Sequence, residues 1–191
     1  RVRYKQTVLG VAWAVLQPVF TMLVFTVFFG GFAQVPSQGL PYAVFVYAGL
    51  LPWMFVSTAI GQASLSLVNQ QSLLTKVYLP RVFVPAAAVG GALVDLGVSL
   101  AVFLGLMLVY GLLPGVGVLA APLLVVLMLA LTMGVSLTLA ALTVSYRDVR
   151  HIIPFMLQSW MFLSPVIYPV TFVPERYRWL LALNPMTGII D

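Results

Sequence analysis

Charged residues are missing from a long N-terminal part of this chain. Seventy consecutive residues, from Gln6 to Thr75, contain no Asp, Glu, Lys or Arg. Soluble domains carry roughly a quarter of their residues as charged side chains, whereas this chain carries 7% and is 62% hydrophobic. Apolar segments of about 20 residues cross a bilayer as helices. The sequence therefore predicts an all-α integral membrane protein.

Polar and turn-forming residues divide the chain into five apolar runs. These runs cover about 8–32, 42–68, 85–110, 119–144 and 152–170. The first is too long for the apolar core of a signal peptide, so we interpret it as a membrane span. The remaining piece, 171–191, is too short and too polar to cross. Because the chain begins at Arg1 without a Met, we expect a piece of a longer protein, with a sixth span after Asp191.

The basic residues orient the five spans, because loops rich in Lys and Arg stay in the cytoplasm. A cytoplasmic N-terminus places seven basic residues inside: Arg1, Arg3, Lys5, Lys76, Arg81, Arg147 and Arg150. It leaves only Arg176 and Arg178 outside. We therefore expect two charged cytoplasmic loops, 69–84 and 145–151, and an external segment, 171–191.

The first charged loop, NQQSLLTKVYLPRVFVP (69–85), is a polar island between two spans. Its composition predicts a short helix, in which one apolar stripe contains Leu73, Leu74, Val77 and Tyr78. Two interpretations are open for this helix. It either lies on the lipid headgroups as an ordinary amphipathic loop, or it docks a cytosolic partner.

The third span contains a carboxylate, Asp95. It lies ten residues past Pro85, about 15 Å along a helix, and so near the middle of the membrane. A charge at that depth is costly and faces protein or water. The structural interpretation is a hydrogen-bonded link between helices. The functional alternative is a proton or substrate site.

Several chemistries are excluded by residue type. The chain has no cysteine and one histidine, His151, so thiol chemistry and multi-histidine metal sites are absent. A phosphate-binding loop needs a Lys that follows Gly, whereas Lys5 and Lys76 follow Tyr and Thr. We expect no catalytic residue, metal or cofactor in this chain. Nucleic acid is also not expected, since the basic residues lie at the ends of apolar runs.

Four segments together resemble the ABC-2 type exporter permeases, in the branch that exports lipid-linked polysaccharides such as O-antigen, capsule and wall teichoic acid. They are RYKQTVLGVAWAVLQP (3–18), NQQSLLTKVYLPRVFVP (69–85), SYRDVRHIIPFMLQSWMFLSPVIYP (145–169) and LNPMTGIID (183–191). The resemblance implies a homodimeric permease of the bacterial or archaeal plasma membrane, with six spans per subunit. It also implies that each subunit docks a separate ATPase, on which ATP-Mg is bound.

The resemblance assigns roles to particular residues. The first loop becomes a coupling helix at Asn69–Tyr78, and the residues expected at the ATPase contact are Asn69, Ser72, Leu73, Leu74, Lys76, Tyr78 and Arg81. The second cytoplasmic loop contributes Arg147, Asp148 and Arg150. Aromatic rings can bind the faces of sugars while a polymer slides past. The channel and gate candidates are Phe25, Phe28, Trp53, Trp160, Tyr168 and Trp179; the alternative for each is ordinary packing or anchoring at the membrane interface.

Prolines interrupt the fifth run. They should break its helix at Ser164–Pro169, near the outer leaflet, because each removes a backbone donor. Irregular backbone at membrane depth is tolerated only where protein or a cavity covers it. A short outer helix should follow within Val173–Pro185. This re-entrant segment is either a passive cap or an outer gate.

The leading functional interpretation is the permease of an ATP-driven exporter that moves lipid-linked polysaccharide outward, in contact with membrane lipids. An ABC-2 permease for drugs or small lipids is the alternative within the family. A proton-coupled carrier would use Asp95, but the spans contain no second charge. An intramembrane enzyme lacks a carboxylate pair, a Ser/His pair and a metal cluster.

Overall fold

The computed structural model describes residues 12–32, 39–76, 78, 80–112, 115 and 119–190, and every regular element among them is helical. The long helices are α1 (Ala12–Phe25, continued as a π-helix over Thr26–Phe32), α2 (Tyr42–Asn69), α4 (Phe83–Val109) and α5 (Ala121–Ser145). The shorter ones are α3 (Gln71–Lys76), α6 (Val149–Phe162), α7 (Glu175–Ala182) and α8 (Thr187–Ile190). A 3-10 turn, Val170–Phe172, lies between α6 and α7.

Four helices are long and apolar enough to cross a bilayer. They are Val15–Phe32, Tyr42–Asn69, Phe83–Val109 and Ala121–Ser145, and each lies on one of the first four predicted runs. This confirms the expectation of a helical membrane protein. The beginning of the first predicted run, with Arg1, Arg3 and Lys5, lies outside the described residues.

The fifth predicted run differs from the other four. Its helix, α6, has 14 residues, about 21 Å at 1.5 Å per residue, which is short of a hydrocarbon core of about 30 Å. The break predicted at Ser164–Pro169 is present, since α6 ends at Phe162 and turns follow. The fifth run therefore does not form one continuous helix that is long enough to cross the membrane.

The core of the subunit is built around α2. Helices α1, α4, α5 and α6 all contact it, and its fully buried residues include Val46, Val56, Ala59, Ile60 and Ala63. Tyr47 connects α2 to α4, because its hydroxyl donates to the Ser99 carbonyl at 3.3 Å and its ring stacks on Phe103 at 5.9 Å. The other long helices keep exposed apolar faces, as expected for a protein surrounded by lipid.

Small hydroxyl residues are buried on α2 and α5, two helices that contact each other. Ser64 on α2 and Thr132 and Ser136 on α5 are all fully buried. Ser64 donates to the Ile60 carbonyl, and Thr132 donates to the Met128 carbonyl at 2.6 Å. Side chains of this size let two helices approach closely in lipid, where packing rather than the hydrophobic effect holds them together.

The two ends of α2 carry different segments. At its C-terminal end lie α3, the start of α4 and the turn between α5 and α6. We call this the basic end, because it carries Lys76, Arg81, Arg147 and Arg150. At its N-terminal end, the Tyr42 hydroxyl donates to the Ile167 carbonyl at 2.9 Å. We call this the broken end, because the interrupted segment after α6 lies there.

The helix α6 begins at the basic end, and the irregular segment after it continues along α2 towards the broken end. Leu157 of α6 packs near Gly61 of α2, and Val166 packs against Gly49. Twelve residues separate the two glycines, about 18 Å of helix. Only nine residues run from Leu157 to Val166, and the first part of them, up to Phe162, is still in α6. The turns after Phe162 are therefore more extended than an α-helix.

Candidate coupling groove at the basic end

The helix α3 follows α2 with a single residue, Gln70, between them. The Gln70 N–H donates to the Ser66 carbonyl at 3.0 Å and closes α2. The Leu74 N–H donates to the Gln70 carbonyl at 3.2 Å and opens α3. No longer loop therefore separates α3 from the end of the central helix.

The structure corrects the predicted bounds of the coupling helix. Asn69 is the last residue of α2, and α3 ends at Lys76. Tyr78 lies beyond α3 and is fully exposed, so it is not part of a packed apolar stripe with Leu74, which is partly buried. The side chain of Leu73 and the whole of Val77, also predicted in that stripe, lie outside what the structure describes.

Two faces of α3 point in different directions. Gln71, Leu74 and Thr75, at positions i, i+3 and i+4 of one helix face, line a groove. Ser72 and Lys76, also four residues apart, are exposed and do not line it. One face of α3 therefore lines the groove of this subunit, and the other face is exposed and open to a partner.

The groove beside α3 has a volume of about 1080 Å³. Apolar and small side chains of α2 and α5 form its wall: Leu67, Val68, Leu137, Ala140, Ala141 and Val144. Three arginines line it as well: Arg81, Arg147 and Arg150. The two charged loops, which are more than sixty residues apart in sequence, thus share one groove.

The charge of this groove is positive. Arg150 donates from Nε to the Arg147 carbonyl at 3.1 Å, which ties its side chain to the turn before α6. Asp148 lies in the same turn but is exposed and does not line the groove. Among the described residues that line it, none is acidic. The groove is therefore suited to an anionic group.

At the broken end, Asn184 connects three parts of the chain. Its Oδ1 accepts from the Trp160 indole N–H at 2.9 Å and from the Met186 N–H at 3.1 Å. Its Nδ2 donates to the Leu163 carbonyl at 3.1 Å and to Ser164 Oγ at 2.8 Å. The local sequence around Asn184 does not predict this role beyond the turn that Asn184 and Pro185 indicate.

Three of the aromatic candidates pack inside the subunit or against its backbone. Trp53 is buried and meets Trp160 edge-to-face, with ring centroids 6.0 Å apart. Tyr168 is partly buried, and its hydroxyl donates to the Phe162 carbonyl at 3.1 Å. In this subunit these rings contribute to packing, and their place along a channel stays a prediction.

The other aromatic candidates lie on the first long helix and on α7. Phe25 is partly buried and meets Phe29 edge-to-face at 5.7 Å. Phe28 on α1 and Trp179 on α7 are both more than half exposed. A channel wall built from these rings stays a prediction.

Asp95 is partly buried near the middle of α4, twelve residues after Phe83. This agrees with a position deep in the third span. The two roles considered for it, a link between helices and a proton or substrate site, both stay predictions.

A central helix that contacts three other apolar helices of membrane-spanning length defines a polytopic helical membrane protein. The chain belongs to the ABC-2 type transporter family, which matches residues 1–191. It is therefore a multi-pass protein of the bacterial plasma membrane. The resemblance noted from sequence motifs is confirmed.

Curated relatives are similar to the whole of this chain. The O-antigen export system permease protein RfbA of Myxococcus xanthus is 34% identical over 193 residues, which cover 100% of this chain and 73% of the relative. A protein of the same name from Klebsiella pneumoniae is 26% identical, and the match again covers 100% of this chain and 73% of the relative. The polysialic acid transport protein KpsM of Escherichia coli is 24% identical and is covered to 74% of its length.

Proposed function

We propose that this chain is the permease subunit of an ATP-driven exporter that moves lipid-linked polysaccharide out of the cytoplasm. The observation that carries the proposal is similarity over the full chain to relatives named for O-antigen export and polysialic acid transport. The export of drugs or small lipids, considered from the sequence alone, has no comparable support.

A separate ATPase subunit supplies the energy, and α3 is its docking point. The open face of α3, with Ser72 and Lys76, is available to it. Since α3 continues directly from α2, and α2 contacts α1, α4, α5 and α6, movement of α3 would reach the whole bundle. Two copies of the subunit would form the translocation path.

The basic end faces the cytoplasm in this proposal. Lys76, Arg81, Arg147 and Arg150 all lie there, which agrees with the retention of basic loops on the cytoplasmic side. The broken end then lies at the outer leaflet. The fifth crossing consists of α6 and the irregular segment after it, which packs on α2 through Val166 and so has its backbone covered by protein.

Deletion of the gene in its own bacterium tests the proposal. Surface polysaccharide should disappear, and lipid-linked polymer should accumulate inside the cell. Expression of the full-length protein should restore export, and a variant of the companion ATPase that cannot hydrolyse ATP should abolish it again. Unchanged surface polysaccharide in the deletion strain would refute the assignment.

A further inference from the structure

The groove at the basic end has an apolar part that extends along α5. Ser145 ends α5, and Leu137, which also lines the groove, lies eight residues earlier. Eight residues correspond to about 12 Å along a helix. The three arginines come from the segments between the spans and from the start of α6, so the groove is cationic at its mouth and apolar further in.

The cationic part matches the chemistry of a phosphate group. Arginine presents a planar set of donors that binds phosphate oxygens in pairs, and it remains charged at any relevant pH. Gln71, which also lines the groove, adds a neutral amide donor. With three arginines and no acidic side chain among the described lining residues, a single monovalent carboxylate would leave positive charge unmatched.

The apolar part of the groove favours a lipid over a protein segment as its occupant. An extended peptide inserted among Leu67, Leu137 and Val144 would have to bury backbone N–H and C=O groups without partners, which costs several kcal/mol per group. A hydrocarbon chain has no such groups. The combination of guanidinium groups and an apolar wall therefore fits an amphiphile better than an acidic peptide.

We propose that this groove binds a phosphorylated lipid, with the phosphate at Arg81, Arg147 and Arg150 and the hydrocarbon chain along the wall formed by α2 and α5. The assignment of this lipid to the cytoplasmic leaflet rests on the orientation in the proposed function. Recognition of the phosphate by this chain does not depend on what the protein exports.

Native mass spectrometry of the full-length permease, purified in detergent with its ATPase, measures the binding directly. The probes are dioleoyl phosphatidic acid and dioleoyl phosphatidylcholine, which share the same chains and differ in headgroup charge and accessibility. Phosphatidic acid should bind at least about tenfold more tightly, the effect expected from charge-assisted hydrogen bonds to phosphate. Equal binding of the two lipids to the wild-type protein would overturn the proposal without any variant.

Two variant pairs localise the site. Arg81→Gln/Arg147→Gln should weaken phosphatidic acid binding about tenfold or more. Arg176→Gln/Arg178→Gln removes the same charge from the broken end and should leave binding unchanged. Equal losses from both pairs would mean that only net charge matters, and the groove would then not be the site.

A third variant separates a lipid from a free phosphate. Ala141 is exposed and lines the groove, so Ala141→Phe narrows the apolar part without removing an arginine. It should weaken phosphatidic acid binding and leave inorganic pyrophosphate binding as in the wild type. If pyrophosphate binds as tightly as phosphatidic acid and Ala141→Phe affects neither, the groove is a phosphate site only.

The ATPase provides the remaining alternative. If phosphatidic acid fails to bind and Arg81→Gln/Arg147→Gln instead releases the ATPase during purification, the groove holds an acidic protein segment and the lipid proposal is wrong. Neither result bears on polysaccharide export, which is measured separately on the cell surface.

Discussion

The indole N–H of Trp160 lies 2.9 Å from Oδ1 of Asn184, although twenty-four residues separate them. Through this bond, the end of α6 is connected to the turn that precedes α8. The same asparagine binds Leu163 and Ser164 in the turns that follow α6. The Asn184 side chain thus connects the start of the irregular segment after α6 to the turn before α8, where that segment ends.

Replacement of Asn184 should destabilise the broken end. Asn184→Ala removes four hydrogen bonds and should lower the free energy of unfolding by about 1–3 kcal/mol, since each bond contributes a net amount of roughly 0.5–1.5 kcal/mol and some groups find water instead. Asn184→Asp keeps the acceptor for Trp160 and loses the donor, so it should lie between Ala and wild type. Thermal unfolding in detergent measures both, with Asn69→Ala, an exposed site, as the control. A wild-type melting curve for Asn184→Ala would contradict this role.

Gly49 should tolerate no side chain. A Cβ at this position would lie 2.5 Å from the Val166 carbonyl oxygen, so Gly49→Ala must push the irregular segment away from α2. We expect reduced export and a lower melting temperature. The matched control is Gly90→Ala on α4, where an added Cβ meets nothing within 4 Å and helix propensity should rise by roughly 0.5–1 kcal/mol. Equal behaviour of the two variants would rule out a specific contact at Gly49.

The open face of α3 should be needed for ATPase binding but not for folding. Ser72→Glu/Lys76→Glu places negative charge on this exposed face and should strongly reduce co-purification of the ATPase and export of polymer, while membrane insertion persists. The control, Arg176→Glu, introduces a similar change at the broken end. Normal co-purification of the ATPase with the α3 variant would show that docking occurs elsewhere.

Asp95 should act as a structural residue. Asp95→Asn keeps the capacity for hydrogen bonding and should retain most export, whereas Asp95→Leu removes it and should reduce both assembly and export. Surface polysaccharide and the yield of assembled transporter are the measurements. Loss of export in a well-assembled Asp95→Asn protein, or an export rate that follows the proton gradient, would favour the alternative role as a proton site.

The outer segment can be tested as a gate because the chain has no native cysteine. Tyr168→Cys or Arg176→Cys, cross-linked between two copies of the subunit, should block export while ATP hydrolysis continues. Surface polysaccharide and phosphate release distinguish these two steps. If an efficient cross-link leaves export unchanged, the segment is a passive cap.

The sequence by itself determined the class of protein and the position of four long helices. The long stretch without charge before Lys76 is incompatible with a water-soluble surface, and apolar length alone predicts helical spans, because backbone groups in lipid must bond within their own helix. The break after Phe162 could be predicted for the same local reason, since proline cannot continue the hydrogen-bond pattern.

Tertiary structure alone decided which distant residues meet. In lipid, an apolar helix has little periodicity that marks its buried face, so nothing local distinguishes α2 as the centre or brings Arg81 to the groove of Arg147 and Arg150. The role of Asn184 also depends on contacts between segments more than twenty residues apart in sequence, or twenty in the case of Ser164. These contacts arise from close packing of small side chains and from single hydrogen bonds, and neither leaves a repeating pattern in the chain.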